Sequence, residues 1–348
     1  MNTPSLLGCA LSRLRFALIL RRRYRACASR ATIVFSRFAG IITSNAFAQL
    51  TIAVHSSSMA KPISGIRIRR ATVEDAEVCG RICYDAFTTI NRQHNFPPEL
   101  PAPEASIGVL RMLFSHPGYY CVVAELNGRI VGSNCLDERS TIAGVGPVTV
   151  EPNTQNRSIG RTLMRAVIDR ARERGFPGVR LLQATFHTRS LSLYTKLGFD
   201  PRELMVVMHG PPIKQSIKGG KVRAATEADL DAANRVCESV HGHNRAGELK
   251  DAITRRTAVV VEREGQITGY ASEFGYRGHA AAESNLELKT LLASIKDFPH
   301  PGVIVPTRNT DLFRWCLENN LRVFQPMTLM TIGLYNEPRG AYLPSVLY

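Results

Sequence analysis

The sequence repeats itself, and this self-similarity constrains the fold more than any other feature. Three blocks in the first part of the chain recur in the same order in the second part. The matched pairs are 68–83 with 222–237, 122–132 with 259–269, and 187–199 with 309–321. A repeat of this kind usually means that one structural unit is written twice. We therefore predict two similar units that join near 210–220, where glycines and prolines interrupt the pattern.

Each unit has the pattern of a strand, a helix, a β-hairpin and a further strand. Thr72 and Thr226 occupy positions typical of helix N-caps, and acidic residues follow each of them. Asn127 and Glu264 each precede a glycine between alternating β-branched runs, which is typical of tight hairpin turns. We predict an α/β fold of the α+β type, with two domains in tandem. Each domain would be a mixed β-sheet flanked by helices.

The charge of the chain is concentrated at one end. Of the formal net charge of +15, eight positive charges are arginines in residues 1–58, which contain no lysine and no acidic residue. This composition is typical of an organellar transit peptide, and residues 46–48 resemble a signal-peptidase site. We favour a third interpretation, in which translation starts at Met59, because the residues after it lead directly into a regular domain. The remaining charge of +7 is too small an excess to favour a nucleic-acid-binding protein, an interpretation that would rest on the head arginines alone.

Composition also sets the predicted boundaries and compartment. We divide the chain into an arginine-rich head (1–58), a first domain (64–210), a second domain (221–335) and a C-terminal tail (336–348). The eight cysteines are scattered without C-x-x-C pairs, which favours a reducing, cytoplasmic setting, or an organelle if the head is genuine. No run of 18 apolar residues exists, so we predict no membrane span.

The segment 148–161 has the properties of a phosphate-binding loop. A β-rich run gives way to a polar turn, and a helix begins near Ile159. The first turn of a helix has unpaired backbone N–H groups and the positive end of the macrodipole, which favour an anion. Gly160 allows an anion to approach the backbone, and Arg157 and Arg161 can pair with further oxygens.

These residues resemble the acetyl-CoA pyrophosphate loop of the GNAT superfamily of N-acetyltransferases, written Q/R-x-x-G-x-G/A. Residues 187–199 resemble the next motif of that family, N-x-x-A-x-x-x-Y-x-x-x-G-F. The resemblance implies a loop formed by Gln155, Asn156, Arg157, Ser158, Ile159, Gly160 and Arg161. It implies that the backbone of Val148, Thr149 and Val150 pairs with pantetheine, and that Tyr194 protonates the CoA sulfur.

Two positions differ from the family pattern, and one role has no residue. Ser158 replaces the first loop glycine, which we expect to be accommodated if its φ is negative. His187 replaces the usual asparagine and is a candidate general base, with backbone hydrogen bonding as the alternative role. No carboxylate lies in the strand before the loop. Asp137 and Glu138 are the nearest candidates, an ordered water is another, and the base is left unassigned.

The second unit lacks the features that the resemblance assigns to CoA binding. It has no Q-x-x-G-x-G loop, and Cys316 aligns with Tyr194. We interpret it as a degenerate copy that provides scaffold or one wall of the acceptor site. The turn at 306–309 and Trp315 either face a ligand or form a helix N-cap and part of the core.

Two further segments are candidates for a metal site and for an acceptor-binding site. His241, His243 and His279 could be metal ligands, but scattered histidines rarely make a complete set, and we predict no metal. Residues 84–118 are long and mixed and, by resemblance, cover the acceptor.

The sequence thus predicts an acetyl-CoA-dependent N-acetyltransferase. Its partners would be a CoA thioester and an unidentified primary amine, which attacks the thioester directly, with no nucleic acid. The alternative is a non-catalytic protein that binds acyl-CoA and has a regulatory role. The oligomeric state does not follow from the sequence.

Overall fold

The computed structural model describes residues 65–218 and 220–347, which belong to one compact unit. The predicted head, 1–58, lies outside the described residues. Across these ranges, no helix is both long and apolar enough to span a bilayer.

The elements of the two halves follow one another in the same order. The first half contains β1 (Ile66–Arg70), α1 (Ala76–Gln93), α2 (Pro103–Ser115), β2 (Tyr119–Leu126), β3 (Arg129–Asp137), β4 (Ala143–Val145), β5 (Thr149–Val150), α3 (Ile159–Glu173), β6 (Gly178–Ala184), α4 (Thr188–Lys196) and β7 (Asp200–His209). The second half contains β8 (Lys221–Ala224), α5 (Leu230–His241), α6 (Ala246–Thr254), β9 (Val259–Arg263), β10 (Gln266–Ala271), β11 (Ala280–Ala282), α7 (Asn285–Ala293), β12 (Val303–Pro306), α8 (Thr310–Glu318), β13 (Arg322–Gly333) and β14 (Ala341–Leu343). The second half therefore repeats the first, with β11 in place of β4 and β5 and with β14 added.

Local signals in the sequence explain the beginnings of these elements. Thr72 and Thr226 are the N-caps of short 3-10 turns that lead into α1 and α5, as predicted. In each turn a carboxylate three residues later accepts the backbone N–H of the threonine, at 2.9 Å for Asp75 and 2.8 Å for Asp229. The hairpin turns are also confirmed, since Asn127 and the glycine after it both have positive φ.

The strands form two sheets. The larger has nine strands in the order β1-β2-β3-β4-β6-β13-β7-β12, with β5 paired to β3, and the smaller has the order β14-β11-β10-β9-β8. Because β4 and β6 are parallel while the other pairs are antiparallel, the larger sheet is mixed. Helix α3 packs on one face of its first strands, where Leu163 and Val167 are buried, and α1 and α2 pack on the other, where Cys79 and Leu110 are buried. The predicted fold class is confirmed.

The two halves exchange strands β7 and β13. Strand β13 comes from the second half, yet it lies between β6 and β7, with Met330 opposite Leu181 and Met327 opposite Met205. In return β7 pairs with β12 of the second half, and Val206 and Met208 join a core built largely from that half. The sheets therefore cross the boundary that we predict between the two domains.

Candidate functional site

The larger sheet opens between β4 and β6. The two strands pair at Ala143 and Gly144, whereas β5 pairs only with β3. Beyond Gly144 the backbone N–H of Gly146 donates to the carbonyl of Cys135 at 2.9 Å, so this segment stays with β3. A cavity of about 530 Å³ lies where the pairing with β6 ends.

We call this cavity the central chamber. Residues of both halves line it, including Cys83, Phe87, Glu99, Leu100, Ser106, Val109, Met112, Arg139, residues 145–148, residues 181–184, His187, Ser190, Tyr194, Glu248, Glu273, Tyr276, His300, Met327, Val346 and Leu347. Its volume falls within the range of pockets that bind small organic molecules.

The N-terminus of α3 is open for an anion. No side chain caps it, and the first backbone bond of the helix runs from the N–H of Thr162 to the carbonyl of Ser158 at 3.0 Å. The predicted loop residues Arg157 and Arg161 form no ion pair within the part of the chain that the structure describes. A carbon added at Gly160 would come no closer than 3.7 Å to Leu193 or to Val150. The helix N-terminus and two unpaired arginines together suit a phosphate group.

Ser158 adopts a conformation that we did not expect. Its φ is +61° and its ψ is 5°, in the left-handed region, so the expectation of a negative φ is wrong. Asn156 has a positive φ of 66° as well. The turn from β5 into α3 requires this geometry, and it is why glycine is usual there. The serine therefore holds a strained backbone at the start of the helix.

Gln155 links the loop to its surroundings, and Arg189 is a residue that sequence reasoning missed. Gln155 Nε2 donates to the carbonyl of Val150 at 3.2 Å, and its Oε1 accepts from Arg189 Nη2 at 2.9 Å. Arg189 lies in the first turn of α4 and adds a third cation beside the loop. No spacing pattern relates it to Gln155, because the contact depends on how α4 packs.

The segment Val148–Val150 pairs with β3 along one edge, and on its other edge the Val150 carbonyl accepts the hydrogen bond from Gln155. Thr149 pairs with Ser133 and Val150 with Gly132, and Thr149 Oγ1 lies 3.2 Å from Ser133 Oγ. Val148 lines the central chamber. A ligand with amide groups could therefore add to this segment as a further strand would, and the pairing with pantetheine stays a prediction.

Tyr194 lines the central chamber, as its predicted role requires. Its side chain is 8% exposed, and burial raises its pKa to about 12. Its hydroxyl makes no hydrogen bond within the described residues, and its ring meets Phe199 edge-on at 6.2 Å between centroids. The phenol therefore stays protonated at neutral pH and can donate its proton to a developing thiolate.

His187 also lines the chamber, but its protonation limits one of its two predicted roles. Burial, with Arg189 and His94 nearby, lowers its pKa to about 4, so the imidazole is neutral at pH 7 and a weak base. Its side chain does not cap α4, although its backbone N–H donates to the carbonyl of Ala184 at 2.9 Å. Its role stays a prediction.

Asp137 and Glu138, the carboxylates considered as the general base, each form an ion pair with an arginine. Asp137 lies 2.6 Å from Arg139 and Glu138 lies 2.7 Å from Arg170. Glu99, which the sequence did not reveal, instead lines the chamber with only 7% of its surface exposed. It lies between α1 and α2, in the segment where we placed the acceptor, and its partners come from the second half of the chain.

In the second half, the turn at 306–309 and Trp315 make structural contacts. Asn309 caps α8 by accepting the N–H of Leu312 at 3.3 Å, and Trp315 is 8% exposed and donates to Gln215 at 2.9 Å, as the N-cap and core interpretation predicts. Cys316, at the position of Tyr194, is buried.

The three histidines lie together in the interior. The ring nitrogens of His241 and His279 are 3.1 Å apart, and the ring centroids of His241 and His243 are 5.5 Å apart. Burial lowers the pKa of all three, and the charge of Arg180 lowers it further. Among the described residues, no group of three or more His, Cys, Asp or Glu is placed to hold a metal ion.

Comparisons with known proteins agree with this geometry. The mycothiol acetyltransferase of Nocardia farcinica is 39% identical over 70 residues, which are 20% of this chain and 23% of that protein. The match thus spans under a quarter of that relative. A crystal structure from Pyrococcus horikoshii, described as an acetyltransferase, covers 80% of this chain and 93% of its own with a TM-score of 0.64 and 21% identity. A GCN5-related N-acetyltransferase from Sphaerobacter thermophilus covers 78% of this chain and 96% of its own with a TM-score of 0.52 and 15% identity.

These structural likenesses show the fold and extend over both halves of the chain. Residues 84–199 match the model of the acetyltransferase (GNAT) family, and they lie inside the first predicted domain. They include the α3 loop, Tyr194 and Glu99. The chain therefore contains a GNAT acetyltransferase domain.

Proposed function

We propose that this protein transfers the acetyl group of acetyl-CoA to a primary amine by direct attack on the thioester. The observation that carries the proposal is the position of Tyr194. This residue lines a chamber that begins where β4 and β6 part, beside the segment that leads into the uncapped N-terminus of α3.

The residues present suit the parts of the donor. Arg157, Arg161 and the N–H groups at the start of α3 would bind the pyrophosphate. The edge of Val148–Val150 that faces away from β3 would pair with the pantetheine amides, and one of its N–H groups would stabilise the developing oxyanion. Tyr194, with a pKa of about 12, would give its proton to the sulfur.

The second half would support this site rather than repeat it. Tyr276, His300 and Met327 line the chamber, so that half supplies part of its wall. The corresponding strand β11 pairs with β14, Ala280 with Leu343 and Ala282 with Ala341. A segment of the chain itself therefore occupies the edge where, in the first half, a ligand would bind.

Two measurements test the proposal. Calorimetric titration with CoA should show binding, and free-thiol release should follow when acetyl-CoA and a panel of primary amines are added. Gly160→Glu places a carboxylate at the phosphate site and should abolish both. The matched control is Gly108→Glu, an exposed helical glycine with no atom within 4 Å of an added carbon, and it should change neither.

The outcomes separate the alternatives. Binding of CoA without thiol release on any amine would favour the non-catalytic acyl-CoA-binding protein. An absence of CoA binding in the unchanged protein would refute the proposal as a whole.

A further inference from the structure

The central chamber contains a buried carboxylate that both halves of the chain hold in place. Glu99 Oε1 accepts a hydrogen bond from Gln325 Nε2 at 2.8 Å, and Oε2 accepts one from the hydroxyl of Tyr276 at 3.2 Å. Gln325 belongs to β13 and Tyr276 follows β10, whereas Glu99 belongs to the first half. The carboxylate is therefore fixed in one orientation while it lines the chamber.

Glu99 differs from the other carboxylates of the chamber in its electrostatic partners. Glu248 forms an ion pair with Arg245, and Glu273 lies 3.6 Å from both Arg255 and Arg277. No arginine or lysine within the described ranges comes within ion-pair distance of Glu99, and its two hydrogen-bond donors are neutral. A buried carboxylate without a counter-ion is costly unless a cation binds to it.

The remaining walls near Glu99 are mostly apolar. Phe87, Leu100, Val109, Met112 and Met327 line the chamber with it. A ligand with an apolar body gains binding free energy by burying that body against these residues. A second positive charge on the ligand would weaken binding, because no second unpaired carboxylate lines the chamber among the described residues.

Two buried polar atoms mark the chamber as a ligand site. Gln183 Nε2 and Ser106 Oγ line it without a hydrogen-bond partner among the described residues, although their side chains are only 5% and 1% exposed. Gln183 Oε1 already accepts a hydrogen bond from Ser190 Oγ at 3.0 Å, which leaves the amide N–H₂ as a donor. Buried polar groups without partners in a cavity are typical of sites that a ligand completes.

We propose that the acceptor is a small primary monoamine with an apolar body, and that its ammonium group binds to Glu99. This inference rests on the proposed function, whose acceptor it specifies. The ammonium ion gives one proton to a Glu99 oxygen, which leaves a neutral amine with a free electron pair.

The remaining steps balance. The amine nitrogen forms a bond to the thioester carbonyl carbon, and the bond from that carbon to sulfur breaks. Tyr194 gives its proton to the sulfur, and the surplus proton of the new amide nitrogen restores Tyr194. Glu99 returns its proton to solvent, so the whole reaction releases one proton. Burial raises the pKa of the Glu99 carboxyl, which makes it a better proton acceptor than an exposed carboxylate.

Binding of 2-phenylethylamine, measured by calorimetry with and without CoA, tests the inference directly. We expect the unchanged protein to bind it and to bind 2-phenylethanol, which lacks the charge, far less well. Glu99→Gln should weaken amine binding about 10- to 100-fold, because a charge-assisted hydrogen bond is lost. The same variant should bind CoA as before. Glu262→Gln, which alters a carboxylate paired with Arg223 outside the chamber, is the matched control and should change neither.

A second variant covers the case in which Glu99→Gln does not fold. Tyr276→Phe removes one hydrogen bond that stabilises the Glu99 carboxylate, so the pKa of Glu99 rises further. When the pH is lowered, Tyr276→Phe should therefore lose amine binding at a higher pH than the unchanged protein does. The other groups that face Glu99 are Gln325, Asn91, His300 and Cys83, and this variant retains all of them.

The failure of this inference can be told apart from the failure of the proposed function. If thiol release is faster with putrescine or with a peptide that has a free N-terminus than with 2-phenylethylamine, the acceptor class is wrong while acetyl transfer stands. Two further results would overturn the proposed role of Glu99. One is an unchanged amine affinity in folded Glu99→Gln, and the other is an unchanged pH for the loss of amine binding in Tyr276→Phe.

Discussion

At the scale of single residues, Ser158 shows how a loop can keep its function with an unfavourable residue. Its φ of +61° lies in the left-handed region, which glycine adopts without strain. Other residues are destabilised there by about 1 kcal/mol. The backbone N–H groups of α3 keep their direction because the turn imposes it. The strain is therefore a cost to stability and not to the site.

Ser158→Gly should accordingly raise the free energy of unfolding by up to about 1 kcal/mol and leave CoA affinity unchanged. Chemical denaturation and calorimetry would measure the two quantities. Ser158→Ala is the control, since alanine has the same steric problem and should bring no gain in stability. A stabilised alanine variant would contradict the explanation.

Tyr194 supports a second prediction. Tyr194→Phe removes the proton donor and preserves the ring that packs on Phe199, so turnover should fall about 100-fold or more while CoA affinity stays the same. Thiol release with saturating acetyl-CoA measures this change. Tyr120→Phe is the control, because Tyr120 meets Arg70 and Arg170 through its ring and its hydroxyl is not involved. Equal rates for the two variants would rule out the role of Tyr194.

The repeated capping turns predict how stability depends on pH. Arg223 hydrogen-bonds Asp229 and, as the largest cause, lowers the pKa of that carboxyl, and Arg69 does the same for Asp75. A carboxyl whose pKa is depressed by folding stabilises the protein above its unfolded pKa of about 4 and loses this contribution as the pH falls through the folded value.

The urea midpoint should therefore decrease as the pH is lowered from about 5 to about 2, and Asp229→Asn should make this decrease shallower. Asp169→Asn, at an exposed ion pair with Arg172, should have almost no effect. An identical acid dependence in Asp229→Asn and the unchanged protein would contradict the assignment.

Residue-level features of the site were only partly predictable. The loop residues and Tyr194 could be identified because their spacing along one helix and one strand is local. Glu99 could not, because its partners Gln325 and Tyr276 are distant in sequence and nothing in the pattern of residues 84–118 indicates which side chain is buried.

At the scale of elements, the close approach of Leu347 to β4 shapes the chamber. A carbon added at Gly144 would lie 1.9 Å from the carbonyl oxygen of Leu347, so only glycine fits there. The neighbouring Val346 N–H donates to the carbonyl of Tyr276 at 2.8 Å, and both Val346 and Leu347 line the chamber. The segment is therefore hydrogen-bonded to the second half at Tyr276 and lies against the first half at Gly144.

Gly144→Ala should displace this segment, and the amide of Val346 should lose its protection in hydrogen–deuterium exchange. Gly108→Ala is the matched control: an added carbon at Gly108 meets nothing within 4 Å, and alanine favours the helix by about 1 kcal/mol. The control should be slightly more stable and leave Val346 protected. Full protection of Val346 in Gly144→Ala would show that the contact does not hold the segment.

The elements themselves follow the sequence more closely than their arrangement does. The stripe of Ile159, Leu163, Val167 and Ala171 predicts the buried face of α3, and all four side chains are buried. The exchange of β7 and β13 could not be foreseen. Alternation along a strand specifies which face is buried, but it does not specify which strand lies beside it.

At the scale of the whole molecule, the exchanged strands make the two halves depend on each other. Without the second half, strand β6 would lose its antiparallel partner β13 along Gly178–Ala184, and β7 would lose both of its neighbours, β13 and β12. An exposed strand edge of this kind is unstable and prone to aggregate.

Fragments 65–218 and 220–347, prepared separately, should each lack a cooperative thermal transition. When mixed, they should form a one-to-one complex that unfolds in a single transition. Circular dichroism and size-exclusion chromatography would check this. A fragment 65–218 that unfolds cooperatively alone would show that the exchange is not needed for folding.

The position of β13 also affects the order in which the protein can fold. The ribosome synthesises β6 long before its partner β13, residues 322–333. The edge of β6 therefore stays unpaired while most of the second half is synthesised. Contacts between segments this far apart slow folding and prolong the exposure of apolar surface. The arrangement that joins the two halves in the finished protein therefore delays completion of the acetyltransferase domain until β13 of the other half has been synthesised.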